Sequence, residues 1–344
     1  MNFASDNTSG ISPEILAALA AANDGAVGSY GADPVTARLE TKLADLFEHE
    51  VSVFPVATGT AANALALATV TPPWGAVLCH PLAHIACDEA NAPEFYTGGA
   101  KLVTVPGADG KLTAADLAAL LPGDLGNVHC AQPAAISLTQ ATECGTVYRP
   151  DEIARIATLA HRHGLAVHMD GARFANALVH LDVSPAELTW RAGVDVLSFG
   201  ATKNGALGAE AIVFFDKARG KELPFRRKRA GHLFSKMRFL SAQLEAYVTD
   251  GLWLRNARHA NAAAARLAEG LTALPGVSLR HPVEANELFV EMPETMIAGL
   301  FAAGAKFYRW QGAASTCVRL VTAWNTQEAD VAAFLATASR LANT

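Results

Sequence analysis

Three short stretches carry residue types that do chemistry when held together: Ala57-Thr-Gly-Thr-Ala-Ala-Asn63, Ala166-Val-His-Met-Asp-Gly-Ala-Arg173 and Ser198-Phe-Gly-Ala-Thr-Lys-Asn-Gly205. In the first, Thr58, Gly59 and Thr60 precede an alanine-rich helical run. Free N–H groups and the helix dipole then converge on an anion. The stretch is neither G-x-x-x-x-G-K-[ST] nor G-x-G-x-x-G, so one phosphate fits better than a nucleotide's two or three. In the second, an apolar strand ends in His168-x-Asp170, which puts a carboxylate at a sheet's carboxyl edge. Burial there is costly unless the charge is paired, and a protonated ring nitrogen would pair with it and make the ring an electron sink. Taken alone, Asp170 reads more readily as a helix N-cap. In the third, Lys203 follows a strand between small residues, with Thr202 beside it. That suits an amine forming a Schiff base with an aldehyde, since partial burial lowers the lysine pKa. The plainer reading is a surface lysine in a loop. Each signal is weak alone; the order anion loop, aspartate, lysine is specific.

The elements that must position these residues can be read from periodicity. Val51–Phe54, Ala76–Cys79, Ala166–Met169, Val194–Phe199 and Ala211–Phe215 read as strands. They alternate with helical patterns at Ala61–Val70, from Thr113 (a cap, with Asp116 at the third helical position) to Leu121, and at Asp151–Arg162. Pro150 starts the last of these and Gly164 stops it. Such alternation predicts an α/β fold with a mostly parallel sheet. Ligands in such sheets bind beyond the strands' carboxyl ends, where Thr58, Asp170 and Lys203 all fall. After Gly231 come long helices at Leu233–Thr249 and Trp253–Leu274. They are followed by Val277–Arg280, Leu288–Glu291, a helix at Glu294–Ala303, Cys317–Val321 and a closing helix from Thr326. We expect a large domain over 1–245, with its N-terminal segment packing with a small domain over 246–344.

Composition narrows the partners. The 344 residues are 51% hydrophobic and 17% charged, so a sizeable core is expected. A net charge of −6 argues against nucleic acid as the main partner, and the basic run Phe225–His232 is too short to reverse that. No apolar run approaches the ~20 residues that span a bilayer, and MNFASDNTSG lacks the features of a secretory signal. Five cysteines (Cys79, Cys87, Cys130, Cys144, Cys317) without a C-x-x-C pair suit a reduced, cytoplasmic protein. His80 and His84 lie near Cys79 and Cys87, but Pro81 breaks the register that would align the two imidazoles. No metal is expected.

With these motifs in place, the sequence resembles the L-threonine aldolase family of fold-type I (aspartate aminotransferase-like) pyridoxal-phosphate enzymes. The resemblance runs through Ser5-Asp6-Asn7, Tyr30-Gly-Ala-Asp33-Pro34, Thr58-Gly-Thr60, His84, His168-Met-Asp170-Gly-Ala-Arg173, Thr202-Lys203 and Val318-Arg319-Leu-Val-Thr322. It implies pyridoxal 5′-phosphate on Lys203, Asp170 at the pyridine nitrogen, Thr58, Gly59, Thr60 and Thr202 around the phosphate, and His84 stacked on the ring. Ser5, Arg173 and Arg319 would bind the substrate carboxylate, for which arginine's planar fork is suited, with Arg173 also near the cofactor. Tyr30, Tyr308 and Trp310 are candidates to line the substrate pocket, with ordinary packing as the equal alternative. A basic residue of Arg227-Lys-Arg-Ala-Gly-His232, with Arg229 foremost, would reach a phosphate across a subunit interface of a homodimer or homotetramer. Many relatives carry a histidine in an E-N-T-H-N-G loop. Here the stretch reads Thr139-Gln-Ala-Thr-Glu-Cys-Gly145, so His84, Glu143, a water or the cofactor phosphate must move that proton.

The implied reaction is cleavage of threonine, allo-threonine or a relative such as phenylserine to glycine and an aldehyde. Lys203, His84 and Asp170 would be the catalytic residues, with His84 foremost beside the hydroxyl as stacker, base or both. β-Elimination, transamination and racemisation would use the same scaffold. A non-catalytic binding protein is the reading from another class, and retention of Lys203, Asp170, Arg173 and Arg319 argues against it.

Overall fold

The computed structural model describes residues 1–342. Seven strands form one sheet: β1 (Ser52–Val56), β2 (Gly75–Cys79), β3 (Lys101–Thr104), β4 (Gln132–Thr139), β5 (Ala166–Gly171), β6 (Val196–Gly200) and β7 (Glu210–Phe214). Their order is β1-β7-β6-β5-β4-β2-β3. The pairs among β6, β5, β4, β2 and β3 are parallel. β7 runs antiparallel to both its neighbours. The α/β class and mostly parallel sheet are therefore as expected.

The strands are apolar without alternation because both faces are covered. Leu197, Phe199 and Val213 enter a large core beneath the sheet, whereas Val196, Ile212 and Phe214 meet the Gly59–Val70 helix above it. The Pro150–Arg162 helix shows how local sequence sets an element. Pro150 occupies its first turn, the Glu152 carboxylate accepts the Arg149 N–H at 2.7 Å, and Ile153, Ile156, Ala157 and Ala160 are buried. Gly164, at φ +74°, then turns the chain. Burying each isoleucine side chain contributes roughly 1.5–3 kcal/mol.

A second, antiparallel sheet comprises β8 (Ser278–Leu279), β9 (Glu287–Glu291), β10 (Tyr308–Arg309) and β11 (Cys317–Val321), in the order β10-β11-β9-β8. Its core takes in Leu267, Leu271, Ile297, Leu300 and Phe334, and Phe3 from the N-terminus. The Phe3 N–H donates to the Lys306 carbonyl and its carbonyl accepts from Val321, each at 2.8 Å. The Leu252–Thr272 helix serves both cores: Trp253 and Ala257 join the larger, Ala263 to Leu271 the smaller. Two details depart from the periodicity. The helix expected from Leu233 begins at Arg238, because the Ser235 carbonyl is engaged by the Tyr30 N–H at 3.0 Å. β4, flanked by parallel strands on both sides, lies where the periodicity predicts no strand.

Candidate active site

Beyond the carboxyl ends of β4, β5 and β6 lies a cavity of about 260 Å³. Its wall includes Thr58, Gly59, Thr60, His84, Asp170, Arg173, Thr202 and Lys203. With Glu143, which also lines it, nine of the residues singled out from sequence thus converge from five separate stretches. Ser5, Tyr30, Arg229 and Arg319 are not part of this wall. Ser5 caps the short turn Asp6–Thr8, accepting from the Asn7 N–H at 3.2 Å. Tyr30 is half-exposed under the Lys228 ammonium, 4.9 Å from its ring centre. Arg319 projects from β11 toward Tyr308 and Trp310. Arg229 borders a separate groove with Phe95 and Phe225.

One end of the cavity is an anion cradle. Thr58 caps the Gly59–Val70 helix, its hydroxyl accepting the Ala61 N–H at 3.1 Å. The N–H groups of Gly59 and Thr60, in the first turn, have no partner among the described residues. Across from them the chain leaves β6 through Ala201, and a short turn, Thr202–Asn204, presents Lys203. The Thr202 hydroxyl accepts the Ala209 N–H at 3.2 Å. Glu210 sits behind this turn, accepting the Ala201 N–H at 2.9 Å. Burial pushes its carboxyl up to about 7, against the pull of Thr202 and Ala201.

Asp170 marks the other end. Its Oδ2 accepts the Asn63 amide at 2.7 Å and its Oδ1 the Ala172 N–H at 3.0 Å. Asn63 also donates to Glu89 at 2.8 Å, and the same Glu89 oxygen meets His84 Nδ1 at 2.8 Å. That hydrogen bond is the main cause of a raised His84 pKa, opposed by burial. Beneath Asp170, His168 bridges the Ser137 and Ser198 hydroxyls across β4, β5 and β6 at 2.9 and 3.0 Å. Burial lowers its pKa to about 4, so it stays neutral.

Arg173 is already engaged. Asp6 takes its fork with two bonds, at 2.9 and 3.1 Å, and Glu287 of β9 lies 3.0 Å away. The N-terminal segment and the small sheet thus meet the large sheet on this guanidinium. Asn63, Glu89 and Glu210 carried no sequence-based assignment. The signals for two of them are polar residues inside apolar runs: Asn63 within Ala61–Leu67, Glu210 at the head of Ala211–Phe214.

These residues fit a group that is anionic at one end and cationic at the other. Asp170, Glu89, Glu143 and Glu210 outnumber Lys203 and Arg173 in the wall. A further cation near Asp170 would offset that excess, while the cradle of unpartnered N–H groups calls for an anion.

Comparison with known proteins gives the same direction. Residues 2–295 match the protein family described as beta-eliminating lyase. The chain is 46% identical to a low specificity L-threonine aldolase of a Pseudomonas species over 331 residues, 96% of this chain and 94% of that one. It is 48% identical to the low specificity L-threonine aldolase of Pseudomonas aeruginosa over 326 residues, 94% and 93% respectively. Among solved structures, the threonine aldolase of Leishmania major matches with a TM-score of 0.93 at 31% identity, covering 99% of each chain.

Proposed function

The chain belongs to the beta-eliminating lyase family, and on that premise we propose that it cleaves L-threonine and related β-hydroxy-α-amino acids to glycine and an aldehyde, with pyridoxal 5′-phosphate in the cavity beyond β5. The observation that carries this reading is the juxtaposition, in one wall, of Lys203, Asp170 and the Thr58–Thr60 helix N-terminus. When bound, the cofactor supplies an electron sink for the carbon whose bond breaks.

The chain's own residues would do the rest. Gly59, Thr60 and Thr202 would hold the phosphate, and Lys203 the aldehyde carbon. Asp170, fixed by Asn63, would hold the ring nitrogen's proton. His84, oriented by Glu89, would lie against the ring. Arg173, now paired with Asp6 and Glu287, would turn to a substrate carboxylate, and Arg319 and Ser5 would share that contact. The carboxylate contact would orient the substrate and so select which Cα bond the cofactor's electron sink acts on.

The reading includes a homodimer or homotetramer in the cytoplasm. Phe95 and Phe225, 77% and 79% exposed beside Arg226 and Arg229, support self-association. None of the five cysteines is in a disulfide, which suits a reduced compartment. Among the described residues no helix is long and apolar enough to cross a membrane.

The test is an absorbance spectrum of purified protein given pyridoxal phosphate, borohydride reduction with peptide mapping, and product analysis with L-threonine. A visible band, trapping on Lys203, and glycine released with acetaldehyde are expected. A 2-oxo acid and ammonia instead would transfer the scaffold to elimination, and absence of any band would remove the cofactor.

A further inference from the structure

We propose that the Glu143 carboxylate is the base that takes the β-hydroxyl proton during cleavage, an inference that rests on the aldol reading above. The titratable residues of the cavity wall are His84, Glu89, Glu143, Asp170, Arg173, Lys203 and Glu210. Most are committed. Asp170 is held by Asn63 and Ala172, Glu210 by Ala201, and Arg173 by Asp6 and Glu287. Lys203 is assigned to the aldehyde carbon. His84 gives Nδ1 to Glu89, which raises its pKa, and its ring is assigned to lie against the cofactor. Glu89 has an unpartnered Oε2 of its own, but its Oε1 is shared between His84 and Asn63, so its charge is engaged by the imidazole.

Glu143 differs. It lies just past β4, where its Oε1 accepts the His84 backbone N–H at 2.8 Å and the Thr139 hydroxyl at 2.9 Å. Its Oε2 is buried and has no hydrogen-bond partner among the described residues. A buried carboxylate oxygen lacking a donor is destabilised, and a substrate hydroxyl is a donor of the right kind. Rotation about the soft terminal torsion lets either oxygen serve. The groups whose fields reach it are Asp170 from β5, Arg173, His84 and Cys87 from the short His84–Cys87 helix, Cys79 from β2, and Cys144 and Tyr148 of its own segment. Burial first, and the Asp170 charge second, push its carboxyl up to about 7, a value matched to proton transfer near neutrality.

The step balances without any added reagent. The O–H proton goes to Glu143, and the freed electron pair forms the carbonyl π bond of the departing aldehyde. The Cα–Cβ pair stays on Cα, which takes a proton to give glycine. One proton leaves oxygen and one arrives on carbon.

Glu143→Gln keeps the Oε1 acceptor for His84 and Thr139 but cannot take a proton. We expect it to bind pyridoxal phosphate with the wild-type absorbance band while glycine release falls about 10²–10⁴-fold. Exchange of the glycine Cα proton with solvent, which involves no hydroxyl, should stay within about threefold of wild type. In wild type, kcat/KM should fall on the acid side of about pH 7, where Glu143 protonates. Infrared difference spectra of the full chain should show a carboxylic-acid band titrating there that is missing from the variant, which separates it from Glu210. If Glu143→Gln folds poorly, Thr139→Val serves: losing its hydrogen bond should move the acid limb to higher pH, and an unmoved limb overturns the proposal. Full cleavage rate in Glu143→Gln, or cleavage and exchange lost together, also overturns it. Should wild type itself release no glycine and aldehyde, it is the underlying reading that fails.

Discussion

Behind the four-stranded sheet, Phe3, Leu267, Leu288, Ile297, Leu300 and Phe334 are fully buried against one another. The Phe3 and Phe334 rings meet edge to face at 5.2 Å. At the carboxyl edge of the seven-stranded sheet, by contrast, Glu89, Glu143, Asp170 and Glu210 share one cavity, and oxygens of Glu89 and Glu143 lack partners among the described residues. The first region gains from every apolar contact it makes. The second holds desolvated carboxyls that disfavour the fold and are tolerated because the surrounding cores over-determine it. Stability and chemistry are therefore separable in this molecule, and substitutions should sort accordingly.

The strongest test of that separation is Lys203→Ala. We expect glycine release to fall about 10⁴-fold or more and the borohydride-trapped peptide to vanish, with the melting temperature of the cofactor-free protein little changed. A large loss of stability would break the contrast from the site's side. Phe334→Ala approaches it from the other: truncating a fully buried ring should lower unfolding free energy by about 3–5 kcal/mol in denaturant titration. The folded fraction should keep the wild-type absorbance band. An altered band would mean that the small core shapes the cavity directly.

Glu210→Gln sharpens the comparison, because here the site variant should be the more stable protein. The folded chain keeps Glu210 protonated up to about pH 7, while the ordinary value is 4.5. Between those values the native state binds more protons than the unfolded one, so stability falls as pH rises through that window. Replacing the acid should flatten the fall and raise stability at pH 8 by about 1–3 kcal/mol, read from unfolding curves at pH 5 and pH 8. An unchanged pH dependence would locate the neutral carboxyl elsewhere. The smallest effect is expected from Asn63→Ala, which removes one donor to Asp170 and one to Glu89. It should lower kcat about tenfold, equivalent to one hydrogen bond to a charged group, and leave the fold intact by circular dichroism.

Much of this architecture is legible in the amino-acid sequence. Thr58 caps the Gly59–Val70 helix, Thr113 caps the helix from Ala114, and Pro150 and Gly164 bound the helix between them, because caps, prolines and glycines act over a few residues. The order of anion loop, Asp170 and Lys203 is legible for a related reason: in a parallel sheet each strand's end is a fixed address, so residues at strand ends must meet.

What local sequence does not carry is pairing between distant residues. β4 is hidden from periodicity because its first half, Gln132-Pro133-Ala134-Ala135, has neither the β-branched nor the aromatic side chains that mark a strand; only neighbours on both sides make it one. The contacts of Asn63 with Asp170 and of Arg173 with Asp6 join residues 107 and 167 positions apart. The sequence by itself determined where the chain turns, which runs are buried and which side chains stand at strand ends, since each depends on hydrophobic period and on nearby caps. Only the tertiary structure decided which carboxylates lose their water, which of them gain a cation, and which is left with a free oxygen. Desolvation depends on everything packed around a group rather than on its neighbours along the chain.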